Sequence, residues 1–342
     1  MPFADVLGQA TAAAWLAHAL RTRRVAHAYL FRGPDGVGKT RMALAFTAAL
    51  LCGQVEADSC GQCRNCSRIA QGSHPDVELI ERPPGKRYVN IDQIRVLDHT
   101  AHLTPLESRW KVFILRDAER MLPEAQNALL KTLEEPPHGR VLILVTARPD
   151  RLLPTILSRC QAVRFKPLTH EDMRHLLTRM GKFDSKEIEF ALAASGGSLG
   201  SALRLLENRA ADFCRQLLPR LERLDPAEAF ALAEEVQTTV GATEGELESQ
   251  RDGVRLFLEL ATAYCRDLVI LAEKAEVAGL YHPARRADAL RTARRLGAEA
   301  IRQMVELFWR ARERLEQNAN IRLTLEDALL AIAEVQLQPA HA

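Results

Sequence analysis

A doubly wound α/β core followed by an all-helical region is the fold class that this sequence predicts. Five short apolar runs alternate with segments of helical spacing over about the first 165 residues. From about Leu168 onward the strand pattern stops, and the chain becomes rich in Leu, Ala, Arg and Glu at helical spacing. A glycine-rich stretch, FRGPDGVGKT at residues 31–40, joins the first apolar run to a helical segment, which is the context of a phosphate-binding loop.

The composition is that of a globular chain with two or three domains: 342 residues, 47% apolar and 26% charged. Forty-six basic residues nearly balance 44 acidic ones, so the overall charge does not demand nucleic acid or an anionic membrane as a partner. No apolar run reaches about eighteen residues, and the opening MPFADVLGQA lacks the pattern of a signal peptide. We therefore expect a cytoplasmic protein that does not enter a membrane.

The predicted strands are the apolar runs at residues 27–31, 76–80, 112–115, 141–145 and 162–165. Most are apolar on both faces, as strands buried in a parallel sheet are. Helical spacing marks three of the intervening segments, at residues 38–52, 91–98 and 123–135. Strands that alternate with helices in this way predict a parallel sheet covered on both sides.

The remainder of the chain is predicted to be helical. We expect two short helices within residues 170–206, a linker near 206–211 and longer helices after it. Within the longer helices one apolar face is clear, and core packing explains it: it holds Ile301, Met304, Val305, Phe308 and Leu315.

The glycine-rich loop is built to bind phosphate. Its glycines let successive backbone N–H groups point inward, and the following helix adds its positive N-terminus. Lys39 is expected to reach the β and γ phosphates, and the Thr40 hydroxyl is expected to bind Mg²⁺. The residues predicted to bind ATP or ADP in this loop are Gly33, Gly36, Val37, Gly38, Lys39 and Thr40.

A nucleotide hydrolase also needs carboxylates at the end of a neighbouring strand. In KVFILRDAERM, residues 111–121, Asp117 follows the apolar run and is placed for Mg²⁺. The next residue, Ala118, cannot polarise a water molecule. Glu119 is a weak substitute, because one residue further along an extended chain the side chain points to the opposite face.

Four of the seven cysteines predict a metal site. Cys52, Cys60, Cys63 and Cys66 fall within fifteen residues, CGQVEADSCGQCRNC. Four thiolates close a tetrahedral shell around Zn²⁺ and leave no open position, so the zinc is expected to be structural. His74 is an alternative ligand, but its place in GSHPD favours a role in the turn before the next strand.

Four stretches together carry a resemblance: HAYLFRGPDGVGKT, CGQCRNC, PEAQNALLKTLEEPP and PTILSRC. The set resembles the bacterial DNA polymerase III clamp-loader subunits, which are AAA+ proteins. The resemblance implies a nucleotide-binding core at residues 1–166 with a zinc module at 52–66, a helical lid at 167–208 and a helical collar at 209–342. It also implies that residues 6–9 and 27–29 enclose adenine, although ordinary packing explains them almost as well.

Two departures from the motor subunits of that family indicate its delta′-type subunits. The motor subunits carry Asp-Glu where this chain has Asp117 and Ala118, and an arginine where this chain has Gly200. Arg204 lies one helical turn too far along to replace that arginine. Losing one such electrostatic contact costs about a hundredfold in rate. The resemblance therefore implies a subunit that binds ATP but hydrolyses it poorly or not at all.

Such a subunit contributes a group to a neighbour. ILSRC, residues 156–160, resembles the family motif whose arginine reaches the neighbouring subunit's ATP, so Arg159 is expected to act as an arginine finger in trans. An ordinary loop arginine or a helix cap is the alternative. The implied partners are the gamma/tau and delta subunits, the sliding clamp and primed DNA.

Two other functions remain open at this level. The first is a gamma/tau-type motor ATPase of the same loader, with Glu119 or a water network replacing the missing acid. The second is a stand-alone AAA+ or zinc-dependent DNA-binding protein, which is disfavoured because no concentrated basic segment follows the cysteines.

Overall fold

The computed structural model describes residues 1–83, 86, 88–240, 247–273, 279–282, 285–317 and 319–337. The chain divides into two compact units. The first consists of residues 1–173 and 197–200, and the second of residues 174–196 and 201–342. The predicted division into core, lid and collar stays a prediction, and its last part, 209–342, extends over stretches outside the described residues.

A five-stranded parallel sheet forms the centre of the first unit. Its strands are β1 Ala28–Arg32, β2 Val77–Ile80, β3 Lys111–Leu115, β4 Arg140–Thr146 and β5 Gln161–Arg164. Their order across the sheet is β2-β3-β4-β1-β5, and every neighbouring pair is parallel. All five predicted strands are confirmed. The apolar side chains on both faces of β3 and β4 are buried, which explains why these strands have no polar alternation.

Helices cover both faces of this sheet. They are α1 Ala10–Arg21, α2 Lys39–Leu51, α3 Arg64–Ala70, α4 Ile91–His102, α5 Pro123–Glu134 and α6 Pro154–Leu157. Tyr29 and Phe31 of β1 belong to the apolar cluster that contains α1 and α2, whereas Ala28 and Leu30 belong to the cluster that contains α4 and α5. Successive residues of one strand thus contribute to two different cores.

Three short helices follow the sheet: α7 His170–Met180, α8 Ser185–Ala194 and α9 Leu199–Glu207. The prediction of two helices here was wrong. Gly181, at φ 64°, follows α7, and Gly196 and Gly197, both at positive φ, separate α8 from α9. The glycines therefore divide the segment twice.

Most of the described residues in the remainder of the second unit are helical, as predicted. Its helices are α10 Ala210–Glu222, α11 Pro226–Val240, α12 Leu247–Ala272, α13 Arg286–Glu316 and α14 Ile321–Leu337. They share one apolar core, and the predicted stripe on α13 lies in it: Ile301, Met304, Phe308 and Leu315 are buried and Val305 packs against them. No helix in the described part of the chain is long and apolar enough to cross a membrane.

The predicted fold class, an α/β core followed by an all-α region, is confirmed by this arrangement.

Candidate nucleotide and metal sites

The glycine-rich loop connects the end of β1 to the start of α2. Gly38 is the N-cap of α2 and adopts a left-handed conformation, φ 96°. Lys39 is the first residue of the helix, and its Nζ donates hydrogen bonds to the carbonyl oxygens of Gly33, at 2.8 Å, and Pro34, at 2.5 Å. Burial lowers the pKa of the Lys39 ammonium, and the carboxylates of Asp35 and Glu119 oppose that shift. The lysine is thus folded back on its own loop in this conformation.

The start of α9 lies directly on this loop, within the same compact unit. The Gly200 N–H donates to the Gly36 carbonyl oxygen at 3.1 Å. A Cβ added to Gly36 would lie 2.5 Å from Ser198 Oγ and 2.8 Å from Gly200 Cα. Because Gly36 also has a φ of 68°, no other residue fits here without displacing α9. Gly200, which stands where the motor subunits carry an arginine, therefore packs its backbone directly against the loop.

Residues 6–9 lie beside the loop on another side. The Gln9 side chain donates to the carbonyl oxygens of Val37, at 3.3 Å, and Lys166, at 2.7 Å. Its Oε1 accepts from the Lys166 N–H at 3.2 Å. Val6 is buried in the same apolar cluster as Val37. The segment proposed to enclose adenine is thus in direct contact with the loop.

The residues after β3 differ from the expectation of an extended chain. Asp117 has left-handed backbone angles, φ 50° and ψ 47°, and residues 118–120 form a 3₁₀ turn. The Asp117 carboxylate pairs with Arg82 at 3.5 Å. Ala118 is fully buried in the apolar cluster beneath α4 and α5. The side chain at position 118 therefore points into the core rather than towards the loop.

Glu119 is better placed for the nucleotide than the sequence suggested. Its Oε1 accepts from the Ala147 N–H at 3.2 Å, and its Oε2 is buried with no hydrogen-bond partner among the described residues. Its charge acts on Lys39 more strongly than that of Asp117 does. Residues 118–120 form a 3₁₀ turn, so the two-residue alternation of an extended chain does not apply at Glu119.

Thr146 is a site residue that the sequence reasoning missed. It ends β4, is 1% exposed, and its carbonyl oxygen accepts from the Gly33 N–H at 3.3 Å. Its Oγ1 accepts from the Arg148 N–H at 3.1 Å. A polar residue directly after the apolar run of residues 141–145, at the carboxyl end of a strand, was the available signal.

Arg159 follows α6 and is partly exposed. Its guanidinium pairs with Glu134 of α5 at 2.8 Å and donates to the Thr155 carbonyl oxygen at 3.0 Å. Both contacts are local. They hold the arginine, which is partly exposed, at the surface of the first unit.

The four predicted cysteines lie together. Cys52 caps the C-terminus of α2, Cys63 is the N-cap of α3, and Cys66 lies within α3. All four Sγ atoms lie within 4.8 Å of one another, and those of Cys60 and Cys66 are 3.9 Å apart. Tetrahedral Zn²⁺ with bonds of about 2.3 Å places its sulfur ligands about 3.8 Å apart. The geometry therefore fits zinc.

Backbone donors favour thiolates in this cluster. The N–H groups of Gln62 and Cys63 lie 3.5 and 3.2 Å from the Cys60 sulfur, and they lower the pKa of that thiol to about 6. Burial instead raises the pKa of the Cys66 thiol to about 12. A metal would have to displace that proton, so metal affinity should rise with pH.

His74 is not part of the cluster, in agreement with its predicted role in a turn. Its Nδ1 accepts from the Asp76 N–H at 3.2 Å, immediately before β2. Burial lowers the pKa of its imidazole.

Comparison with known proteins is most informative over the first unit. Residues 8–169 match the family model described as DNA polymerase III, delta subunit. The DNA polymerase III subunit delta′ of Bacillus subtilis is 41% identical over 153 residues, which are 45% of this chain and 46% of that protein. The gamma/tau subunit of Mycobacterium bovis is 32% identical over 79% of this chain and 49% of that protein. The chain thus spans about half the length of these curated relatives.

Among solved structures, the chain is similar to a DNA polymerase III gamma subunit-related protein from Thermotoga maritima. The two are 19% identical, with a TM-score of 0.48, over 94% of this chain and 99% of the other. At that score the likeness adds nothing to the assignment. The family match instead covers the phosphate-binding loop, Arg159 and all four clustered cysteines. Residues 8–169 of this chain are therefore similar to the DNA polymerase III delta-subunit family.

Proposed function

We propose that this chain is the delta′ subunit of a bacterial DNA polymerase III clamp loader. In that role it closes a ring of AAA+ subunits and helps to place a sliding clamp on primed DNA in the cytoplasm. The family match over residues 8–169 and the 41% identity to a delta′ subunit support the assignment. The gamma/tau and delta subunits are its proposed partners.

The chain is proposed to hold nucleotide without turning it over efficiently. The loop retains Lys39 and Thr40, the groups that bind phosphate and Mg²⁺. One observation supports inefficient turnover most directly: Gly200 stands where the motor subunits have an arginine, and its backbone packs on Gly36. Ala118, buried in the core, supplies no carboxylate either.

Nucleotide entry requires a rearrangement of the loop. The Lys39 ammonium now donates to two loop carbonyls, so it must leave them before it can meet a phosphate. A triphosphate offers that ammonium a stronger, charged acceptor. Asp117 would hold Mg²⁺ only after its contact with Arg82, at 3.5 Å, is released.

Arg159 is proposed to complete the active site of a neighbouring motor subunit. Its guanidinium stays charged at any physiological pH and presents a planar fork of donors. Before it can reach a neighbour's γ phosphate it must release Glu134, and the exposure of both side chains makes that release inexpensive.

Cys52, Cys60, Cys63 and Cys66 are proposed to bind one Zn²⁺. When bound, four thiolates give zinc a closed shell, so it contributes folding stability rather than catalysis. The cysteines join the end of α2 to the start of α3, and the cluster packs against Leu51 and Ile69.

Reconstitution tests the assignment directly. Clamp loading and ATP turnover would be measured with gamma/tau and delta subunits, sliding clamp and primed DNA, with this chain present or omitted. We expect loading to require the chain although the chain alone releases little phosphate. Full loading in its absence would contradict the proposal.

A gamma/tau-type motor is the second candidate. Two observations favour it: the match to the Mycobacterium bovis gamma/tau subunit over 79% of this chain, and the effect of Glu119 on Lys39. In that case Glu119 would polarise the attacking water. Turnover by the isolated chain that disappears in Glu119→Gln would identify the motor.

A further inference from the structure

The N-terminal segment, residues 1–9, lies between the cysteine cluster and the phosphate-binding loop. Residues Phe3–Asp5 form a 3₁₀ turn that is closed by N–H groups donating to the carbonyl oxygens of Pro2 and Phe3. Phe3 and Val6 are buried in the apolar cluster that also contains Val37 of the loop. The segment is therefore packed rather than loose.

At one end this segment is held by the cysteine module. The Asp58 carboxylate accepts hydrogen bonds through Oδ1 from the Phe3 N–H, at 3.0 Å, and from the Ser59 N–H, at 2.7 Å. A Cβ added to Gly61 would lie 3.4 Å from the Met1 nitrogen, so the start of the chain also lies near the module. Asp58 is two residues before Cys60, and its position depends on how the cysteines fold.

At the other end the segment contacts the loop backbone. A Cβ added to Gly38 would lie 3.4 Å from Val6 Cγ1. Gln9 donates to the carbonyl oxygen of Val37 and bridges it to Lys166. A displacement of the segment therefore moves groups that hold the loop in place.

We propose that Asp58 is a positioning residue that couples the four-cysteine cluster to the phosphate-binding loop through residues 1–9. The coupling rests on the proposed zinc and nucleotide sites. Neither site by itself requires Asp58 or a connection through residues 1–9. Loss of the metal frees the loop between Cys52 and Cys60, Asp58 no longer fixes the Phe3 N–H, and the contacts of Val6 and Gln9 with the loop weaken.

The alternative route through α2 is less able to transmit the state of the cluster. Lys39 and Cys52 stand at its two ends, yet the helix is fixed along its length by buried side chains, among them Met42, Ala43, Ala45 and Phe46. We expect packing of this kind to persist without the metal. The N-terminal segment is hydrogen-bonded to the module through the Asp58 carboxylate, and we take it as the more sensitive connection.

Hydrogen–deuterium exchange of the full chain tests this coupling. It would be measured with zinc bound and after chelation, for the parent, Asp58→Ala, Asp58→Asn and Glu56→Gln. Asp58→Asn keeps an acceptor at Oδ1, and Glu56→Gln changes an exposed carboxylate of the same loop. Zinc content and the affinity for a fluorescent ATP analogue would be measured in parallel.

We expect Asp58→Ala to retain zinc and to exchange about tenfold faster at residues 3–9 and 36–40, the ratio that loss of a hydrogen bond to a charged group produces. Its affinity for the ATP analogue should fall about as much. Asp58→Asn and Glu56→Gln should resemble the parent. Chelation should accelerate exchange at residues 36–40 in the parent, but add little in Asp58→Ala.

Faster exchange confined to residues 52–66, in Asp58→Ala or after chelation, would overturn the coupling. So would an equal effect of Glu56→Gln. A chain that binds no zinc would fail the metal part of the proposed function, and metal content reports that separately. If the zinc-loaded chain binds no nucleotide, hydrogen exchange at residues 36–40 still tests the coupling.

Discussion

The Gly200 N–H donates to the Gly36 carbonyl oxygen at 3.1 Å, and a Cβ added to Gly200 would lie 2.9 Å from Gly36 Cα. Two glycines far apart in the sequence thus touch through their backbones at the phosphate-binding loop. The contact explains how the start of α9 approaches the loop so closely. An arginine at position 200 would have to displace this backbone contact.

Gly200→Ala should displace the loop, because a methyl group cannot occupy the space 2.9 Å from Gly36 Cα. We expect a loss of about 1–3 kcal/mol in the free energy of unfolding. Affinity for ATP should also fall, and Gly200→Arg should behave at least as badly, without gaining turnover. Denaturant unfolding and nucleotide titration measure both quantities. Gly53→Ala, where an added Cβ meets nothing within 4 Å, is the control; an equal loss there would contradict the explanation.

Ala118→Glu restores the acidic pair of the motor subunits but should not create an ATPase. Ala118 is fully buried among apolar side chains, so the new carboxylate would be buried without a partner. We expect the free energy of unfolding to fall by about 3 kcal/mol or more, with the carboxyl protonated. Urea unfolding and phosphate release measure the two effects. A gain in turnover with unchanged stability would show that position 118 faces the nucleotide.

Arg159→Ala should slow ATP turnover by the assembled loader about a thousandfold at the site it completes. Arg159→Lys should rescue little of that loss, because an ammonium cannot reproduce the planar fork. The folded chain should keep its stability, since both side chains of the pair with Glu134 are partly exposed. Arg164→Ala, an exposed arginine of β5, is the matched control. Normal turnover and loading with Arg159→Ala would exclude the finger.

His282 should make the second unit sensitive to acid. Its ring is 4% exposed and packs against Phe190 and Tyr264, and burial lowers its pKa to about 4, with nearby Arg285 adding to the effect. Because the unfolded chain takes up a proton near pH 6.5 and the folded chain does not, stability falls as the pH drops from about 6.5 towards 4. The loss amounts to about 1.4 kcal/mol per pH unit.

His282→Phe retains the ring contacts and removes this titration. We therefore expect the urea midpoint of the parent to fall more than that of the variant between about pH 7 and pH 5. The backbone bond from His282 N–H to Asp267 is unaffected by the change of side chain. Exposed His175→Gln should follow the parent. Parallel pH profiles for the parent and His282→Phe would refute the assignment.

The local sequence pattern was enough to predict the strands and the cysteine cluster. Strands β1, β3 and β4 are buried along most or all of their length, and few other structures accommodate such short apolar runs. The spacing of Cys52, Cys60, Cys63 and Cys66 indicated that they bind one metal ion, and their sulfur atoms do lie together. In both cases the residues that determine the structure are near one another in the sequence.

The local sequence pattern could not predict long-range packing or unusual backbone angles. The direction of the Glu119 side chain depends on the left-handed conformation of Asp117, which the neighbouring residues do not predict. The contact of Gly200 with Gly36 joins residues on separate elements. Helices α7 to α9 were counted as two because Gly181 and the pair Gly196 and Gly197 each allow a turn without requiring one.

The central claim is that this chain holds a triphosphate without breaking it efficiently. The most direct measurement is equilibrium binding of ATP together with steady-state phosphate release by the purified chain alone, beside a gamma/tau motor subunit under the same conditions. We predict saturable, Mg²⁺-dependent binding with phosphate release about a hundredfold or more below the motor's rate. Release at the motor's rate would contradict the account.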